Sequence, residues 1–306
     1  MQAVACLLGR MVTSKMDKTV STQPDVKQQV REFYDQVGWH QVDAGLYQNA
    51  HYEDLRPVSR EYIHRCHLRV GRYLRPSGRF LLDAGSGPIQ YLDYLEYSRG
   101  YQYRVCADIS IVALQEARVR IGSHGLFVVA DIARLPFKLE AFEGIVSLHT
   151  IHHLPEDEHL TAYRELHRVL VLGCTAAIVN GWPSSRLMSA FKPLIRLSWR
   201  VRSAAGHLTG KKTSAGKPKR LKSTDDAAPK GTFTNRQDYD WVMNMVGSHM
   251  VVEIRVWRSV SVRFMRTLIH PRLAGRFWLS LIYWLEERYP HDFGKNGQYP
   301  LIVIRK

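Results

Sequence analysis

Apolar positions along this chain switch repeatedly between a helical and an extended period. Val26, Val30 and Phe33 recur at helical spacing after Pro24, and a second helical pattern runs over 59–74 until Pro76 and Gly78 stop it. The next apolar run, 79–83, is short and unbroken and ends at a glycine turn. From there the chain alternates: helix 89–98, strand 103–108, helix 111–121, strands 126–130 and 144–149, helix 156–170, strand 175–180. Strands alternating with helices predict an α/β fold, a doubly wound and mostly parallel sheet with helices on both faces.

After 181 the alternation breaks. Leu187, Phe191, Leu194, Ile195 and Trp199 interleave with Arg186, Lys192, Arg196, Arg200 and Arg202, with Pro193 placed to interrupt a helix. A stretch rich in lysine, serine, glycine and alanine follows. A helix over 235–246, a strand over 251–258, an aromatic helix over 277–289 and a strand over 301–305 then resume the pattern. The last two strands are expected to pair like a hairpin, so the last strand runs antiparallel. This gives a disordered tail to 24, a helical lid region over 25–78, a core over 79–180, a basic insertion over 181–232 and a closing part over 233–306. No repeat is visible.

Composition narrows the class. Of 306 residues, 45% are hydrophobic, enough to fill a core; 43 Lys and Arg against 28 Asp and Glu give a net charge of +15. Such a field attracts nucleic acid or an anionic membrane surface, but much of the excess lies in Lys211, Lys212, Lys217, Lys219, Arg220 and Lys222, a solvated loop by its composition. Cys6, Cys66, Cys106 and Cys174 form no CxxC pair and have no zinc-type spacing with histidine, so reduced thiols and no metal are expected. The apolar run at 3–8 is too short to span a bilayer and has no basic residue before it. A cytoplasmic protein, with peripheral membrane contact as its closest approach to lipid, is expected.

The chemistry begins where the 79–83 strand ends. In Phe80-Leu-Leu-Asp83-Ala84-Gly85-Ser86-Gly87, glycine allows a tight turn and lets a ligand approach the main chain where a Cβ would collide. A dinucleotide fingerprint would need a third glycine at Gln90 and would not welcome the Asp83 carboxylate beside a pyrophosphate, which counts against NAD. Asp108 and Asp131 close the next two strands. In an open parallel sheet the crevice lies beyond the carboxyl ends of the strands, so the three acids converge on one rim. Asp108 is suited to both hydroxyls of a ribose, and Asp131 to an adenine amino group with Ile132 packed on the ring. Any one of them alone reads as a turn residue.

Together with Leu135-Pro136-Phe137, Phe142 to Ser147, Glu165 to Leu170 and Gly173, these motifs resemble the class I S-adenosylmethionine-dependent methyltransferases, of the branch containing the ubiquinone and menaquinone C-methyltransferases. The resemblance covers about a third of the chain strongly. It departs at Ile89, where many members have a third glycine, and at Glu143 and Gly144. It implies a Rossmann-like fold, S-adenosylmethionine as cofactor, and cofactor contacts at Asp83, Ala84, Gly85, Ser86, Gly87, Asp108, Ile109, Asp131, Ile132 and Leu148. It also implies that the end of the 144–149 strand faces the methyl group, which makes His149 and His152 candidates for proton removal from the acceptor; His153 adjoins them. Tyr34, Trp39, Tyr47 and Tyr52 are placed to close the crevice as a lid, with core packing as the alternative.

The segment 186–202 reads as a lid helix or as a basic amphipathic helix for a membrane interface or an anionic, apolar acceptor. The aromatic helix over 277–289 reads as core. The expected activity is methyl transfer to a small-molecule or lipid-like acceptor. An RNA methyltransferase is the rival within enzymes, set back by the lack of an Asn-Pro-Pro-Tyr-like motif, a matching catalytic cysteine or an RNA-binding module. A non-catalytic nucleoside-binding protein is the rival outside them.

Overall fold

A computed structural model of the chain describes residues 26–39, 41–43, 46–198, 200 and 232–306. The tail to 24, the lysine cluster of 211–222, Trp199 and Arg202 lie outside the described residues. Seven strands form one sheet: β1 (Gly78–Ala84), β2 (Tyr101–Asp108), β3 (Gly125–Val129), β4 (Gly144–Leu148), β5 (Thr175–Val179), β6 (Val251–Arg258) and β7 (Tyr299–Arg305). Their order is β3-β2-β1-β4-β5-β7-β6. The first five run parallel, and β7 runs antiparallel between β5 and β6. The final strands do pair with each other, but β7 enters the sheet between two others, so it is not an edge.

The sheet works by alternation. Leu82, Ala84, Val105, Ala107, Ile145, Ala176 and Ile302 point into one apolar cluster, completed by Leu166 and Val169 from the helix His159–Val169. Their neighbours Leu81, Cys106, Val146, Ala177 and Leu301 point into a second cluster with Ile89, Tyr94, Tyr97 and Leu114. Side chains two apart share a face, and both faces are covered, which is why these strands read as continuous apolar runs. Cys66, Cys106 and Cys174 are buried and unpaired.

Departures from the expected elements have local causes. The 89–98 helix is instead 3-10 turn over Leu92–Ser98. Arg104 donates to the carbonyl of Tyr94 and Tyr97 donates its hydroxyl to the carbonyl of His67 at 2.8 Å, which holds that segment to its neighbours on both sides. The 235–246 helix shortens to Tyr239–Trp241 plus a π turn, Val242–Val246. Residues 232–238 form neither helix nor strand, and His152 and His153 take up two of their backbone groups: Asn235 N donates to His152 O at 2.7 Å, and His153 Nδ1 to Phe233 O at 2.7 Å.

Beyond β5 a third cluster forms, with Val58, Tyr62, Met188, Ile195, Phe264, Met265, Leu279 and Tyr283 buried in it. Its helices include Arg60–Arg69, Arg186–Ala190, Val262–Leu268 and Gly275–Arg288; residues 192–198 are also helical. Pro193 lies in the first turn of that last stretch, where its missing N–H breaks no helical bond. The aromatic helix is core only in part: Tyr283 is buried, whereas Phe277, Trp278 and Trp284 are 61%, 50% and 59% exposed. Among the described residues, no helix is long and apolar enough to cross a membrane.

Candidate active site

A cavity of about 560 Å³ opens at the carboxyl ends of β1, β2 and β4. Of the ten expected cofactor contacts, all but Ala84 line it. Ala84 is fully buried in the core behind the rim, and its carbonyl accepts the Ser147 hydroxyl at 2.8 Å. Gly85 and Gly87 take φ of 75° and 53°. A Cβ on Gly85 would lie 2.1 Å from Thr150 Cγ2, and one on Gly87 3.1 Å from the Trp39 ring. The turn therefore needs glycine for its backbone and for the side chains closing over it. Ile89, at the place of the third glycine in the resembling family, adopts φ 55° while fully buried. A β-branched residue there is strained by about 1–3 kcal/mol and is held by the core around it.

Each rim acid is already engaged. Asp108 Oδ2 accepts from Gly87 N at 2.8 Å and Oδ1 from Ser110 N at 2.9 Å. Burial pushes its carboxyl up to about 6, against those two N–H groups, which hold it down; nearby Asp83 and Asp35 add to the rise. Asp83 Oδ2 is gripped by Nε (3.1 Å) and Nη2 of Arg104, a pair with almost no exposure on either side. Asp131 accepts from Ala133 N at 2.9 Å and pairs with Lys27 from the first helix, Val26–Phe33; Lys27 also reaches Glu158.

The covering segment is the N-terminal one. Tyr34 and Trp39 stack 4.8 Å apart and line the cavity. Tyr47, by contrast, is fully buried and donates its hydroxyl to Glu116 at 3.1 Å, so it serves the core. Tyr52 lines the mouth, 70% exposed.

All three histidines reach the cavity. His153 Nδ1 donates to the Phe233 carbonyl, which leaves Nε2 to accept the Tyr34 hydroxyl at 2.9 Å. His152 Nδ1 lies 3.3 Å from Asn180 Oδ1. His149 has φ 57° and packs its ring against Trp257 and Tyr299 at 5.2 and 5.7 Å. Burial lowers all three, His149 to about 3 and His153 to about 4, with positive Arg236 adding to the effect on each. They are neutral at pH 7. His149 is thus a good acceptor of a hydrogen bond and a weak base.

The cavity is also lined by residues that the expected cofactor contacts do not include. Arg258, the last residue of β6, is 2% exposed and donates from Nη1 to Glu53 Oε1 at 2.6 Å. Its guanidinium lies 5.0 Å from the Trp257 ring centre and 4.7 Å from that of Tyr299. Tyr91 and Arg236 also line the cavity. Arg104 inside β2 was the available signal for the partner of Asp83, whereas Arg258 ends a strand that also carries Glu253 and Arg255 and is not singled out by its charge. Glu53 carries no such mark.

Residues 82–178 match the family described as "Methyltransferase domain", a stretch running from β1 into β5. Among solved structures, phosphoethanolamine N-methyltransferase 2 of Haemonchus contortus, in complex with S-adenosyl-L-methionine, superposes with a TM-score of 0.50 at 14% identity, covering 90% of this chain and 60% of that one. The [4+2]-cyclase SpnF gives 0.49 at 16% identity, with 92% and 97% covered. The YcgJ protein of Bacillus subtilis gives 0.44 at 15%, with 79% and 98% covered. These are likenesses of fold. No curated protein sequence matches the chain.

Proposed function

We propose that this chain, which carries a methyltransferase domain of the class I, S-adenosylmethionine-dependent type, methylates a small-molecule or lipid-like acceptor held between His149, Trp257, Arg258 and Tyr299. The observation that carries this reading is that a single cavity joins the glycine turn and Asp108 to that aromatic, basic compartment. The ubiquinone and menaquinone branch fits it, since its acceptors combine a ring with an apolar tail.

The residues fit the cofactor. Gly85 and Gly87 leave the main chain open to the amino-acid arm, and Asp108 offers a strand-end carboxylate to a diol. Asp131 and Ile132 line the same cavity and would serve the adenine, the one by accepting from its amino group and the other by packing on its ring. Bound there, S-adenosylmethionine supplies a methyl group on a positively charged sulfur, open to in-line attack. The protein's own part is position and dryness. Uncharged His149 and His152 do not repel a cation at the end of β4, and His149 can accept a hydrogen bond from an acceptor hydroxyl and so orient it. Tyr34 and Trp39 keep water from the crevice, and ordering the two reactants there supplies much of the acceleration.

Calorimetry with S-adenosylmethionine, S-adenosylhomocysteine, NAD and ATP tests the reading. The first two should bind and the last two should not. Binding of NAD or ATP in preference, or of none, overturns it.

A further inference from the structure

The third cluster has an outer surface unlike the rest of the molecule. In the helix Gly275–Arg288 the residues Gly275, Leu279, Tyr283 and Glu286 face inward and are buried. At 100° per residue, the opposite side is the stripe Phe277, Leu281, Trp284 and Arg288, with Trp278 beside it. Phe277 and Trp284 therefore stand at the centre of the outward face, and Leu273 in the preceding turn is 68% exposed. The helical stretch 192–198 packs into the same cluster through Ile195 and is joined by the bond from Ser198 Oγ to Thr267 O at 3.5 Å. Its Leu194 and Leu197 are 49% and 56% exposed.

Charge sets this cap apart as well. Residues 181–200 and 259–285 contain four Lys or Arg each and no Asp or Glu. All eight basic residues are exposed. A water-facing helix places polar residues where Phe277 and Trp284 stand, and an ordinary nucleic-acid face does not need leucine and tryptophan exposed between its arginines. Exposed aromatic rings among these eight basic residues, beside exposed Glu61 on the helix Arg60–Arg69 and Glu287 at the end of Gly275–Arg288, match the boundary of a bilayer that carries negative headgroups. We propose that this cap docks the protein on an anionic membrane surface, with Phe277, Trp278, Trp284, Leu194 and Leu197 entering the headgroup boundary and Arg272, Arg276 and Arg196 on the phosphates.

The test is sedimentation of the full chain with vesicles of phosphatidylcholine alone and of phosphatidylcholine mixed with phosphatidylglycerol, beside an RNA-binding control. Binding to the mixed vesicles only is expected, weakening with salt. Arg272→Ala and Arg276→Ala should each weaken it about fivefold. Phe277→Ser with Trp284→Ser should abolish most of the binding while leaving circular dichroism and thermal unfolding unchanged, because both side chains are exposed. No binding to either vesicle, binding indifferent to lipid charge, RNA binding in place of vesicle binding, or a serine variant that sediments like the parent overturns the proposal. The last outcome would move the contact to another part of the chain.

Discussion

At the end of the cavity beside the glycine turn, the acids stand within two residues of strand ends, and Asp83 and Asp108 find their partners nearby in the chain. Asp108 accepts from Gly87, 21 positions away, and Asp83 from Arg104, also 21 away. At the other end, Glu53 meets Arg258 across 205 positions, and Trp257 and Tyr299 come from two antiparallel neighbours, β6 and β7. The first end is assembled by local geometry and shaped for close approach to the main chain. The second is held by a buried ion pair between distant segments. Changes at Gly85 and Asp108 should therefore cost ligand binding more than stability, and changes to the Glu53–Arg258 pair the reverse; the Asp83–Arg104 pair, equally buried, is the exception at the first end.

The most damaging change is Gly85→Val. It demands a left-handed φ of a β-branched residue and drives its Cβ into Thr150. We expect S-adenosylhomocysteine binding to fall more than about 100-fold, with some loss of stability from strain. Calorimetry and thermal unfolding on one preparation decide the matter. Normal binding in a destabilised protein would make the turn a structural feature only.

Glu53→Gln is the matching change at the other end. Removing one partner of a buried pair leaves a charge without compensation, at a cost of about 3–5 kcal/mol. Urea denaturation should show that loss while S-adenosylhomocysteine affinity stays within about threefold wherever the fold persists. A small stability effect together with a large loss of affinity would dissolve the contrast between the two ends.

Asp108→Ala comes next. Hydrogen bonds to a charged group are worth about 1.5–3 kcal/mol, so affinity should drop roughly 10- to 150-fold. Because burial raises this carboxyl to about 6, the fold holds its proton more tightly than the unfolded chain does. The stability this group contributes is thus full below its ordinary value near 3.8 and is lost as pH rises through about 6. Ligand binding runs the other way, since ribose hydroxyls need the ionised form. Affinity should be constant above pH 6 and fall about tenfold per unit below it, and the variant should lose that dependence. An affinity flat across this range in the parent would take Asp108 out of the site.

These differences also mark what could be read from the chain. Asp83, Gly85, Gly87, Asp108 and Asp131 were legible as one rim because each lies at a strand's carboxyl end or in the turn just after it, and those ends of a parallel sheet share one edge. Glu53, Arg236 and Arg258 were not, because their meeting depends on how 50 N-terminal residues and the last strands fold back, which no local period records. Ala84 points away from the cavity for a related reason: inside a strand, neighbouring side chains take opposite faces. The aromatic helix misled because Phe, Trp and Leu read as core when taken by composition, while their spacing places Tyr283 on one face and Phe277 with Trp284 on the other.

The smallest expected effect joins the two ends. Lys27 ties the first helix to Asp131 and Glu158, and the same segment carries Tyr34 and Trp39 over the crevice. All three side chains are partly exposed, so the ties resemble surface ion pairs, worth at most about 1 kcal/mol and screened by salt. Lys27→Ala should therefore leave the fold intact and change S-adenosylhomocysteine affinity by no more than about fivefold. Its mark should be kinetic: with the cover less firmly held, the ligand should both enter and leave faster. Stopped-flow displacement should show dissociation speeding up about fivefold at low salt, with the difference from the parent shrinking as salt is raised. An unchanged dissociation rate would mean that Lys27 serves only to neutralise Asp131, and that the cover is held by Tyr34 on His153 and by Asp35 on Ser110.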